Sequence, residues 1–187
     1  DLFADILIKL KGFLSKDGKI AVVISNSWMG TEWGQRLWEY LTENHSILYV
    51  ITETSNPWFN DANIVSTILV LGKEKPKTSS RTRFATLNAN LNKIEKLDFD
   101  NRQRSAEEIV NDIDISGGEF TTSYRVHSRQ LNDYLRLNLS KRILFYKQPF
   151  WNRLRKVTLL TANFFDIARG DRWGNNAFYH LPTGDEV

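Results

Sequence analysis

Apolar residues recur at helical spacing over residues 2–14, at Leu2, Phe3, Ile6, Leu7, Leu10, Phe13 and Leu14, which predicts an amphipathic helix. The polar stretch SKDGK ends it, with Gly18 available for a left-handed turn. IAVVIS is short, continuous and β-branched, the pattern of a strand covered on both faces. A second helix is predicted over EWGQRLWEYLTEN, with Thr31 as N-cap and Trp33, Leu37, Trp38 and Leu41 facing inward. SILYVITET and NIVSTILVLGKE both read as strands. Strand, helix and strand make a βαβ unit, and the link SNPWFNDA, without a helix of its own, permits an antiparallel return of the last strand.

The second half is more polar. KEKPKTSSRTR reads as a boundary or surface connection, and RFATLN as a strand. Short helices are expected over NLNKIEKL and SAEEIVNDI, the latter with Ser105 and Glu108 at capping-box spacing. GEFTTSYRVHSRQL alternates partly like a strand, and QPFWNRLRKV looks helical after Pro149. The segment FFDIARGDRWGNNAFYHL combines aromatics with Gly and Asn. No internal repeat or low-complexity tract is present.

Composition narrows the classes. In 187 residues, 41% hydrophobic and 25% charged, the chain reads as a soluble globular protein long enough for one domain and part of a second. No apolar run approaches the roughly 18 residues of a membrane span, so neither membrane insertion nor a membrane partner is expected. The absence of cysteine excludes disulfides and fits the cytoplasm. His45, His127 and His180 lack ligand spacing, and no metal site is expected. The beginning, DLFAD, lacks Met and resembles the middle of a helix, which suggests a piece of a longer protein.

Charge is uneven. Residues 1–120 carry 14 Lys and Arg against 17 Asp and Glu, whereas residues 121–172 carry 11 against 3. That basic segment is either a solvated surface or a phosphate-facing patch. Its eight Arg against three Lys suit bidentate contacts to phosphates and guanine edges.

Asn56-Pro57-Trp58-Phe59 raises the question of chemistry, because Asn-Pro followed by aromatics resembles the tetrapeptide (D/N/S)-P-P-(Y/F/W) of enzymes that methylate exocyclic amines on DNA bases. Here the third place is Trp58. Three segments in order carry a wider resemblance: GKIAVVISNSWM, a strand ending in an N-S-W corner; NPWFNDANIVSTILVL, an aromatic followed by a hairpin; and DIARGDRWGNNAFY, with spaced Gly and Asn. Together they resemble the adenine-specific DNA methyltransferases of restriction–modification systems that place the target-recognition domain after the catalytic domain. The family's usual Thr before the second glycine is Trp173 here. A nuclease reading finds no Asp followed by Glu-x-Lys on adjacent strands, and an unrelated nucleotide-binding enzyme finds no phosphate loop.

The resemblance implies an α/β fold: the C-terminal half of a Rossmann-like S-adenosylmethionine-dependent methyltransferase sheet, its last three strands ending in an antiparallel hairpin, plus a mixed α+β extension. It implies residues 1–75 as the later part of the catalytic domain, 76–160 as a linking region and 161–187 as the start of the recognition domain. The catalytic tetrapeptide would lie upstream of Asp1, so no catalytic residue is assigned in the chain and Asn56-Pro57 is read as a turn. Phe59 matches the aromatic that stacks on a flipped base; the alternatives are that Trp58 does so, or that either plugs the core. Asn26, Ser27 and Trp28 would form the cleft rim or merely cap the next helix. Leu2 and Ile6 would line the cofactor's adenine pocket or serve as ordinary core. Arg125, Arg129, Arg169, Gly170, Arg172, Asn175 and Asn176 are the expected DNA contacts, with turn formation the alternative for the Gly and Asn. Implied partners are double-stranded DNA and a restriction endonuclease domain or subunit. The chain contains no G-x-G pattern at a strand end, so by itself it is expected neither to hold S-adenosylmethionine tightly nor to methylate DNA. The rival expectation is a non-catalytic DNA-binding or subunit-interaction module.

Overall fold

A computed structural model of the chain describes residues 2–53, 58, 64–77, 79–88, 94, 96–115, 118, 121–127, 131–134, 141–146, 150, 153 and 164. Asp1–Trp151 forms one compact unit and Asn152–Val187 clusters as a second. In the first, the elements run α1 (Leu2–Leu10), β1 (Lys19–Ser25), α2 (Glu32–Asn44), β2 (Ser46–Glu53), β3 (Ser66–Gly72), β4 (Arg81–Leu87), α3 (Phe99–Ile115) and β5 (Thr121–His127). Single 3-10 turns lie at Lys11–Phe13, Asn26–Met29 and Lys141–Phe145.

The five strands form one mixed sheet in the order β1-β3-β2-β4-β5. β3 runs antiparallel between β1 and β2, so those two point the same way, and β4 lies parallel to β2. β5 returns antiparallel beside β4. The carboxyl ends of β1, β2 and β4 therefore meet on one side of the sheet. The antiparallel return of β3 agrees with the expected hairpin. β4 and β5 add to the same sheet.

α2 follows the sequence pattern closely. The Thr31 hydroxyl accepts from the Gly34 N–H at 3.3 Å as N-cap. Leu37, Trp38 and Leu41 are buried and Trp33 is partly buried. Trp38 links the core: its ring stacks on Trp28 at 4.6 Å and 12°, and on Phe84 of β4 at 6.1 Å. Phe84 in turn meets Phe145 edge-on at 5.3 Å. One aromatic column thus ties the turn after β1 to α2, β4 and the turn at Lys141–Phe145. Lys141, at the start of that turn, is buried and donates to Gln35 Oε1 on α2. Burial holds its ammonium pKa below the ordinary value, with Glu39 opposing.

Several expectations are corrected. α1 ends at Leu10 and tightens into a 3-10 turn, leaving Phe13 exposed. Gly18 closes a turn by donating to the Ser15 carbonyl at 3.0 Å, without left-handed backbone. β1 is covered on one face only, with Ile20 and Ile24 buried while Val23 is 53% exposed. The capping box at Ser105 is not used, because α3 begins at Phe99 and Ser105 lies inside it. Asp98 is the cap: its carboxylate accepts from the Asn101 backbone at 2.9 Å and the Asn101 amide at 2.8 Å. Those bonds hold the Asp98 pKa below its ordinary value.

At the other end of α3, cations from the sheet satisfy the free carbonyls. Arg83 donates to Ile113 O at 2.7 Å and to Asp114 O, and its Nε pairs with the Asp114 carboxylate at 3.1 Å. Arg125 reaches Asp114 O at 2.7 Å, and the Ser123 hydroxyl reaches Ile113 O at 2.8 Å. Positive charge at a helix C-terminus is favourable for both the unpaired carbonyls and the helix dipole. This junction fixes α3 on β4 and β5.

Candidate functional site

An open cleft of about 870 Å³ lies beyond the carboxyl ends of β1, β2 and β4. In open α/β sheets ligands bind at that side, because loops diverge there and leave a crevice. Its lining combines Ser25, Asn26 and Ser27 after β1, Thr52 and Glu53 ending β2, Ile64 and Val65 before β3, and Thr86 and Asn88 on and after β4. Met29, the β5 residues Thr122 and Tyr124, and Arg142, Phe145 and Tyr146 complete it. Hydroxyl, amide, carboxylate and guanidinium groups share the lining with apolar Ile64, Val65 and Phe145, so the cleft can meet both polar and apolar parts of a ligand.

The corner after β1 is built by local hydrogen bonds. The Ser25 hydroxyl accepts from the Ser27 N–H at 3.3 Å, capping the 3-10 turn Asn26–Met29. The Asn26 N–H donates to the Val65 carbonyl at 2.8 Å, and the Thr67 hydroxyl donates to Asn26 Oδ1 at 3.1 Å. Both ends of Asn26 are thus held against β3 and the segment before it. α2 supports the turn from behind, since the Gly34 Cα packs directly on the Trp28 carbonyl.

The structure separates the expected rim residues. Asn26 and Ser27 line the cleft. Trp28, by contrast, is fully buried on Trp38, outside the cleft lining. Leu2 and Ile6 are 75% and 48% exposed on α1, whereas Leu7 of the same helix is buried. Arg125 is exposed on β5 with its guanidinium against the α3 C-terminus. Trp58 is partly buried, its N–H donating to Glu53 Oε2 at 2.7 Å, and it is not among the lining side chains. Phe59, Arg129, Arg169, Gly170, Arg172, Asn175 and Asn176 lie outside the described residues, as does Asn56-Pro57.

Sequence reasoning missed Glu53, Tyr124 and Arg142. Glu53 had a legible signal, the one charged residue of its strand, placed at the end just before a link of twelve residues. Tyr124 and Arg142 had none, because only the pairing of β5 on β4 and the seating of the Lys141–Phe145 turn bring them to the cleft.

A mixed sheet with a reversed strand between two parallel ones, and an open cleft beyond the parallel ends, defines an α/β domain with a ligand-sized crevice at its strand ends. The sequence profile of the N-6 DNA methylase family matches residues 4–142, and the chain belongs to that family. Among solved structures it resembles the type I restriction-modification system methyltransferase subunit from Streptococcus thermophilus, with 18% identity and a TM-score of 0.51 over 77% of this chain and 30% of that one. It also resembles the type IIG restriction endonuclease BpuSI, with 12% identity and a TM-score of 0.50 over 71% of this chain and 15% of that one. At these identities the likeness shows the fold. The chain spans less than a third of the length of either. No individual curated protein sequence matches. Among the described residues, no helix is long and apolar enough to cross a membrane.

Proposed function

We propose that this chain supplies the target-base side of the catalytic domain in a site-specific DNA adenine methyltransferase of a restriction–modification system. The observation that carries this reading is the open cleft at the strand carboxyl ends, bounded by Asn26 and Ser27 on one side and by Glu53, Ile64 and Val65 on another. A base inside a duplex is inaccessible to an enzyme acting on its exocyclic amine, so it must be flipped out and its lost stacking replaced. Phe59 follows Trp58, the residue anchored to Glu53, and is the stacking surface for that adenine. The hydroxyls and amides of the cleft hold polar edges of the base. Double-stranded DNA is the partner. Arg129, Arg169, Gly170, Arg172, Asn175 and Asn176 are its further contacts, and residues 161–187 begin the recognition domain.

The residues present fit part of a cofactor site. Leu2 and Ile6 leave apolar surface exposed rather than spending it in the core, as a wall against an adenine ring requires. When bound, S-adenosylmethionine supplies an electrophilic methyl group. The remaining walls, together with the tetrapeptide that accepts hydrogen bonds from the target amine, belong to the whole enzyme. The rest of the enzyme's sheet would pair on β1, the edge strand of the described sheet. A restriction endonuclease domain or subunit completes the system.

The test uses the whole protein with methyl-labelled S-adenosylmethionine and duplex DNA, followed by chromatography of the hydrolysed bases. Label is expected on N6 of adenine, and none when the 187-residue chain is used alone. Phe59→Ala should lower kcat/KM roughly five- to hundredfold, since base–aromatic stacking contributes about 1–3 kcal/mol. Unchanged kinetics would return Phe59 to the core. Salt-dependent DNA binding without any methyl incorporation by the whole protein would favour a non-catalytic DNA-binding or subunit-interaction module instead.

A further inference from the structure

We propose that Glu53 is a positioning residue, whose carboxylate ties Trp58 and the start of β3 to the end of β2 at the cleft and so sets the place of the target base; this rests on reading the cleft as the receptor of that base. Glu53 is the last residue of β2 and is only 6% exposed. Its Oε1 accepts from the Ser66 N–H at 2.8 Å and its Oε2 accepts from the Trp58 N–H at 2.7 Å. One carboxylate therefore ties the start of β3 to a point inside the link, and Phe59 is the next residue along.

Two physical considerations make this more than local strand termination. Residues 54–65 far exceed the roughly 2–5 residues of an ordinary hairpin loop, so the connection from β2 to β3 is longer than strand pairing requires. A buried carboxylate, meanwhile, must find partners or neutralise. Among the described residues the ion pairs are Arg36–Glu32 and Arg83–Asp114, so the donors opposite Glu53 are backbone amides. Distances of 2.7–2.8 Å are those of well-formed N–H···O bonds to a carboxylate. The exit of the link is held in the same place. The Thr52 hydroxyl donates to Ser66 O at 3.2 Å, and the Asn26 N–H donates to Val65 O at 2.8 Å. Glu53 thus couples the link to the corner carrying Asn26 and Ser27, and all four of Asn26, Ser27, Glu53 and Val65 line the cleft.

Glu53→Gln keeps the shape but offers one oxygen and one NH2 group, so one of the two amides must face a donor. In the whole methyltransferase, deuterium exchange of peptides covering residues 54–66 and chymotryptic cleavage after Trp58 and Phe59 report the anchor without reference to activity. Steady-state methylation reports its consequence. E53Q is expected to exchange and cleave roughly tenfold or more faster over this stretch, consistent with loss of a charge-assisted bond. KM for DNA should rise about tenfold while KM for S-adenosylmethionine stays unchanged. E53D keeps the charge but loses one methylene of reach, and it gives the same readings should E53Q fail to fold. Unchanged exchange and cleavage would overturn the anchor. Faster exchange with unchanged DNA kinetics would overturn its role in positioning. A wild-type protein that transfers no methyl group counts against the reading of the cleft, and the exchange result stands apart from it.

Discussion

Trp38→Ala is expected to lower unfolding stability by about 3–5 kcal/mol, the usual cost of emptying a buried aromatic site. The loss is large because Trp38 is fully buried and touches two other rings, Trp28 at 4.6 Å and Phe84 at 6.1 Å. Aromatic pairs add about 0.5–1.5 kcal/mol each beyond the area they bury. Those rings come from the turn after β1 and from β4, elements that face each other across the cleft. A domain holds together by only about 5–15 kcal/mol in all, so the variant should be near its limit at physiological temperature. Urea unfolding checks this through a lowered midpoint with an unchanged m-value. Trp38→Phe, which keeps a ring in place, should cost distinctly less. A Trp38→Ala loss below about 1 kcal/mol would mean that the column does not support the cleft.

The second large effect reverses a general rule. Within a helix, Gly→Ala ordinarily stabilises by roughly 1 kcal/mol. At Gly34 an added Cβ would stand 1.6 Å from the Trp28 carbonyl oxygen and 2.5 Å from its carbon. Backbone cannot yield as a flexible side-chain tip does. Either α2 lifts from the sheet or the Asn26–Met29 turn shifts outward, and overpacking of this kind costs about 1–3 kcal/mol or more. Gly34→Ala is therefore expected to destabilise despite its better helix propensity. Because the displaced turn carries Asn26 and Ser27, methylation by the whole protein should fall more than stability alone explains. A variant as stable as the wild type would show that α2 and the turn are not in this contact.

The first half of the fold was legible because each of its elements carries its own periodicity. α2 announces its cap at Thr31 and its inner face at Leu37, Trp38 and Leu41, and all of these agree with the structure. The continuous apolar run of β3 marks a strand buried along both faces. The second half was less legible, because its partners are distant in sequence. Nothing in RFATL says that Arg83 will turn to the end of α3 while Phe84 joins the aromatic column. Ser105 and Glu108 imitate a cap and put the start of α3 too late, whereas Asp98, between Leu97 and Phe99, forms one.

The site divides in the same way. Asn26 and Ser27 were readable from a strand end, but the same pattern included Trp28, whose size places it in the core instead. Asn56-Pro57-Trp58-Phe59 drew attention as an imitation of a catalytic tetrapeptide. The structure adds what the string could not show, namely that the Trp58 backbone is tied to Glu53. Basic charge pointed to DNA along residues 121–172, yet Arg125 is engaged with a helix terminus. Net charge in a segment does not separate cations facing a ligand from those that finish the fold.

The central claim is that the cleft receives the flipped target base. Photocrosslinking tests it most directly, with 5-iodouracil replacing the methylated adenine in a duplex bound to the whole protein, followed by mass spectrometry of the attached peptide. The account predicts attachment within residues 53–66 or at the cleft aromatics Tyr124, Phe145 and Tyr146. Attachment confined to the outer face of α3, around Gln103 and Glu107, or anywhere else away from the cleft, would contradict it.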